Sequence, residues 1–129
     1  MVAVRYYSKS GNTKLLAEAI GKGAGVIPIS VDEDSAKITE DIDVLFIGGA
    51  LYAYGLDKIM NDYLSGIDGN KVKKAVVFST SWISKHSIDL IKKALKEKGI
   101  EVADETCYVR NKPNDKQLAE AEAFAKKFI

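Results

Sequence analysis

A chain of 129 residues, 47% hydrophobic and 29% charged, can close one core and has the composition of an ordinary globular domain, so one domain over 1–129 is expected. The formal net charge of +1 supplies no basic excess for a nucleic-acid backbone, and one cysteine with one histidine makes neither an intramolecular disulfide nor a metal site of recognised spacing. No apolar run reaches membrane-spanning length and no charged-then-apolar leader opens the chain, so a cytoplasmic protein without membrane insertion is expected.

The elements follow in order. Val2–Tyr7 reads as a strand. Thr13 to about Lys22 reads as a helix with Leu16, Ala19 and Ile20 at helical spacing, and Gly21, Gly23 and Gly25 are expected to stop it. Gly25–Ser30 reads as a second strand, and Pro28, lacking a donor, places it at a sheet edge. Ser35–Thr39 has the length of one helical turn. Asp43–Gly48 is the third strand; Leu56–Leu64 is a helix presenting Ile59, Tyr63 and Leu64 on one face; Lys74–Thr80 is the fourth strand. Ser87–Lys98 carries Ile88, Ile91 and Leu95 in one stripe, with lysines on the solvated side and Gly99 as a stop. Glu101–Tyr108 is the fifth strand and holds Cys107, expected as a buried, inert thiol. Asp115–Phe128 is a last helix capped by Asp115 or Asn114.

Val44–Ile47 and Ala75–Phe78 are apolar without alternation, as strands covered on both faces are. Alternating strands and helices then predict an α/β three-layer sandwich around a five-stranded parallel sheet with right-handed crossovers. With the second strand at an edge, the order is 2-1-3-4-5. Ligands of such sheets bind beyond the carboxyl ends of the strands, where the order reverses. The loops at that point are Ser8–Thr13, Gly48–Asp57 and Ser79–His86.

Ser8-Lys9-Ser10-Gly11-Asn12-Thr13 joins a strand to a helix start, where unpaired N–H groups and the helix dipole attract an anion. Its hydroxyls and amide add donors beyond what a simple cap by Ser10 or Asn12 would need, and Gly11 permits a tight turn. It is neither a Walker A loop, because Gly11-Asn12-Thr13-Lys14 lacks the Gly-Lys-Ser/Thr order, nor a spaced-glycine dinucleotide fingerprint. Leu51-Tyr52-Ala53-Tyr54-Gly55 offers aromatic faces that either stack on a flat ring or pack the loop onto the domain. Ser79-Thr80-Ser81-Trp82 offers hydroxyls and the only tryptophan, a second stacking group or a satellite of the core, and His86 is expected to be solvated. A phosphate cradle beside two aromatic loops suits flavin mononucleotide (FMN) better than adenosine monophosphate, whose ring is smaller.

Tyr6-Tyr7-Ser8-Lys9-Ser10-Gly11-Asn12-Thr13 resembles the flavodoxin phosphate loop, Thr/Ser-x-Thr/Ser-Gly-Asn-Thr. Val44–Ala50 and Val76–Trp82 resemble the strands leading into its two ring-binding loops, and Tyr108–Asn114 with the Ala-rich helix behind it resembles the short-chain ending. The resemblance implies that Ser8, Ser10, Asn12 and Thr13 hold the FMN phosphate through side chains and Lys9 and Gly11 through backbone N–H groups. It places Leu51, Tyr52, Ala53, Tyr54 and Gly55 on one side of the ring, and Thr80, Ser81 and Trp82, after Ser79, on the other. It implies a flavoprotein that carries electrons between redox partner proteins through the flavin semiquinone and hydroquinone, as a monomer or weak dimer. A flavodoxin-like FMN-dependent oxidoreductase, of quinone-reductase or protoporphyrinogen-oxidase type, and a non-redox binding module are the alternatives. Flavodoxins are usually strongly acidic; here the near-neutral charge and Lys9 beside the phosphate imply a less negative field and a higher reduction potential.

Overall fold

The computed structural model describes residues 1–52, 55–81 and 85–129, with the side chains of Leu51 and Tyr52 left outside. In chain order the elements are β1 (Val2–Tyr6), α1 (Asn12–Ala24), β2 (Ile29–Ser30), β3 (Ile42–Gly49), β4 (Leu51–Tyr52) and β5 (Gly55–Leu56). Then come α2 (Lys58–Ser65), β6 (Val72–Ser79), α3 (His86–Glu97), β7 (Glu101–Val102), β8 (Cys107–Tyr108) and α4 (Asp115–Lys126). The main sheet runs β2-β1-β3-β6-β7, β8 also pairs with β6, and every pairing in it is parallel. Counting β7 and β8 as one interrupted strand, this is the expected 2-1-3-4-5 order with β2 at the edge.

Successive residues of the central strands are buried on opposite faces. Ala3, Leu45, Ile47, Ala75 and Val77 pack with Met60 and Leu64 of α2 and Ile88, Ile91 and Leu95 of α3. Val4, Val44, Phe46, Val76 and Phe78 pack with Leu16, Ala17 and Ile20 of α1 and Ala121 and Ala125 of α4. Full burial of a side chain of the size of Phe46 or Leu45 contributes about 1.5–3 kcal/mol, so the unbroken apolar runs hold a helical layer to each side of the sheet.

Three elements differ from expectation. The second strand shrinks to Ile29–Ser30 because α1 continues to Ala24 and Gly25, at φ 75°, closes it by donating its N–H to the Gly21 carbonyl. Gly21 and Gly23 do not stop the helix. A Cβ on Gly23 would lie 2.2 Å from the Glu122 carbonyl oxygen, so this glycine lets α4 approach. The fifth strand breaks in two: Glu101 sits opposite Lys74 but Cys107 opposite Phe78, which leaves two extra residues between them. Asp104 and Glu105 are exposed there, and bulging outward keeps these carboxylates in water. In α2, Met60 and Leu64 are buried, whereas Ile59 is 38% exposed. Leu56 lies in β5 rather than in the helix, and Asp57 caps α2.

Candidate functional site

The first loop keeps the helix start open. Tyr7 still donates to the Gly48 carbonyl (3.2 Å), so the chain leaves the sheet only at Ser8. The N-cap of α1 is Gly11, at φ 94°, which has no side chain to cap with, and the first turn holds no acidic residue. That φ favours glycine, while a Cβ there would meet nothing within 4 Å, so conformation rather than crowding demands it. Ser8 Oγ accepts from the Gly11 N–H (3.0 Å) and Ser10 Oγ from the Asn12 N–H (3.3 Å). Hydroxyls, amides and the positive end of α1 thus converge without a carboxylate of their own.

This loop is tied to three others. Lys9 Nζ lies 2.9 Å from Asp57 Oδ2, at the end of the second loop. Thr13 Oγ1 and Thr80 Oγ1 share a buried hydrogen bond of 2.7 Å, joining α1 to the third loop. Asn12 Nδ2 donates to Asn111 Oδ1 (3.2 Å) in the turn after β8; Asn111 has φ 65°, a conformation asparagine tolerates. Ser8, Lys9, Ser10, Gly11, Asn12, Thr13 and Thr80 are therefore brought together.

The third loop is built from buried hydroxyls. Ser79 Oγ pairs with Ser87 Oγ at 2.6 Å and accepts from the Ser81 N–H at 3.2 Å. Tyr108 donates its hydroxyl to the Ser81 carbonyl (2.6 Å), and the Lys85 ammonium sits 5.3 Å from the Tyr108 ring centre. Ser79, Thr80 and Ser81 are each at most 4% exposed, so their side chains shape the loop more than they line an open surface. His86 opens α3 with an exposed side chain. In the second loop, β4 and β5 pair antiparallel, Leu51 with Leu56 and Tyr52 with Gly55, and Gly55 has open space where a Cβ would stand. Ala53, Tyr54 and Trp82, and the side chains of Leu51 and Tyr52, lie outside the described residues.

Asp57 Oδ1 accepts the Ile59 N–H at 2.8 Å; that bond, and then Lys9, hold its carboxyl below the usual carboxylate value. The expectation that Lys9 presents a bare cation beside the site is corrected, because Asp57 compensates it. Cys107 is half-buried, and burial, with Glu120, pushes its thiol up to about 11, as expected of an inert thiol. The sequence reading missed Asp57, Ser87, Tyr108 and Asn111 as supports. Only Asp57 carried a signal, an acidic residue directly before a helical pattern. A separate groove of about 560 Å³, lined by Val31, Ile38, Tyr63 and Ile67 among others, shares no residue with these loops. It lies where the β2–β3 crossover has only a single 3₁₀ turn, Asp34–Ala36.

Among the described residues, no helix is long and apolar enough to cross a membrane. Nor does any group of three or more His, Cys, Asp or Glu residues there suit a metal ion. No protein-family model and no curated protein matches the chain. Solved structures do. A flavodoxin from the domain Archaea superposes with a TM-score of 0.87 at 26% identity, over 98% of this chain and 94% of that one. Flavodoxin 1 from Bacillus cereus gives 0.78 at 22% identity, over 98% and 95%. The flavodiiron protein from Giardia intestinalis gives 0.87 at 16% identity, over 98% of this chain but 34% of that one. A parallel sheet with helices on both faces and a helix start at its switch point defines a doubly wound α/β protein. Within that class the chain has the flavodoxin-like fold.

Proposed function

We propose that the protein binds FMN at the loops after β1, β3 and β6 and serves as an electron carrier between partner proteins. The observation that carries this reading is the start of α1, which has a glycine N-cap and no first-turn carboxylate to neutralise it, inside a loop of hydroxyls at the switch point. The donor set fits a phosphomonoester. The Ser8 and Ser10 hydroxyls accept the Gly11 and Asn12 N–H groups and keep their own protons to donate, and the open space beside Gly11 admits the group. Thr13 keeps Thr80 as its partner and has one further hydrogen-bonding direction for the phosphate. The loops of residues 51–55 and 79–82 would flank the ring.

The flavin supplies the redox chemistry when bound; the chain binds it, orients it and sets the local field. Among the described residues the loops bring together hydroxyls, amides and one compensated ion pair, a set suited to holding a ligand rather than to moving substrate protons. The test is a visible spectrum with added FMN during stepwise anaerobic reduction. Two resolved one-electron steps are expected. A single two-electron step would assign the protein to the oxidoreductases instead, and no FMN uptake would refute the reading. As a control on the loop, Ser10→Ala should weaken FMN more than riboflavin, which lacks the phosphate; equal losses would mean the loop holds something else.

A further inference from the structure

Lys9 occupies the middle of the first loop, where a cation would be expected to face a bound phosphate. Its ammonium has another partner. Nζ lies 2.9 Å from Oδ2 of Asp57, whose side chain is 12% exposed against 54% for Lys9. The second oxygen of the same carboxylate, Oδ1, accepts the Ile59 N–H and caps α2. One carboxylate therefore joins the first loop, the end of the second loop and the first turn of α2. Ammonium and carboxylate in contact present a dipole, not a unit charge, to an approaching anion. What remains for a phosphate is neutral: the serine hydroxyls, the backbone amides and the start of α1.

We propose that Lys9 is a positioning residue and not a phosphate ligand: it clamps the capped start of α2 to the first loop, sets the spacing between the first and second loops, and leaves the phosphate to neutral donors. Asp57 then governs specificity, because it cancels the charge that would otherwise favour any anion at this loop. The proposal rests on the FMN reading for its ligand and on the ion pair for its geometry.

The test compares wild type with Lys9→Met, Lys9→Arg and Asp57→Asn in two measurements. FMN and riboflavin affinities come from fluorescence titration, and amide hydrogen exchange is followed at residues 55–60 of the ligand-free protein. Lys9→Met alone unmasks the Asp57 carboxylate, which would repel FMN, so the clamp is read in Lys9→Met combined with Asp57→Asn: this charge-neutral variant is expected to weaken both ligands by the same factor, about twofold to fivefold for a partly exposed pair, and to speed exchange at the start of α2. Lys9→Arg restores both. Asp57→Asn keeps a capping side chain but unmasks the ammonium, so FMN gains over riboflavin. A loss confined to FMN in the charge-neutral double variant would make Lys9 a phosphate ligand and overturn the proposal, as would unchanged exchange. Failure of the wild type to bind either flavin would refute the FMN reading, and the ligand-free exchange would still decide the clamp.

Discussion

Replacing Thr13 by valine tests the buried link between the phosphate-type loop and the third loop. Thr13 is 1% and Thr80 4% exposed, and their hydroxyls lie 2.7 Å apart, so removing one leaves the other without that partner out of water. A buried hydroxyl deprived of its partner costs about 1–3 kcal/mol, whereas replacing both members by apolar groups of similar shape is nearly neutral. For a domain of this size each kcal/mol lowers Tm by about 3–5 °C, so Thr13→Val and Thr80→Val should each lower it by about 3–15 °C. The double variant should cost no more than either single one, so the coupling is at least the cost of one single variant, about 1–3 kcal/mol. Urea and thermal unfolding of the four proteins in the cycle, without flavin, measure it. Strictly additive losses would show that the two hydroxyls do not stabilise each other, and the link between the loops would have to be abandoned.

Gly23→Ala sets two effects against each other: helix propensity favours alanine by about 1 kcal/mol. The new Cβ, however, would stand 2.2 Å from the backbone oxygen of Glu122, which cannot swing aside, so a net loss of about 1–3 kcal/mol in chemical denaturation is expected. Asn114→Ala removes the capping box of α4, in which Asn114 and Gln117 bond each other's backbone, and should cost about 1 kcal/mol in the same assay. Cys107, pushed up to about 11, should react slowly with a disulfide reagent at pH 8 in the folded protein and rapidly in urea. The fold keeps this thiol protonated. Its contribution to stability is therefore full below the ordinary thiol value near 9 and is lost as pH rises from there towards 11, where the unfolded chain gives up its proton first. Equal reactivity in folded and unfolded protein would contradict the burial.

By itself the sequence determined the architecture. The unbroken apolar runs Val44–Ile47 and Ala75–Phe78 suit strands covered on both sides, and Pro28 marks the neighbouring strand as an edge, although that strand, Ile29–Ser30, begins only after it. The turn from β1 into α1 is local as well, because glycine, hydroxyls and a helix start act through neighbours in the chain. Tertiary structure alone decided what depends on residues far apart. Gly23 reads as a helix stop until the carbonyl of Glu122 is seen above it, and the break in the fifth strand follows from its register against β6. The pairing of the Lys9 ammonium with Asp57, and of the Thr13 hydroxyl with Thr80 across 67 positions of chain, is seen only once the loops are brought together. Local patterns encode backbone conformation and burial. The pairing of polar groups across the chain is set by packing, and no spacing in the sequence records it.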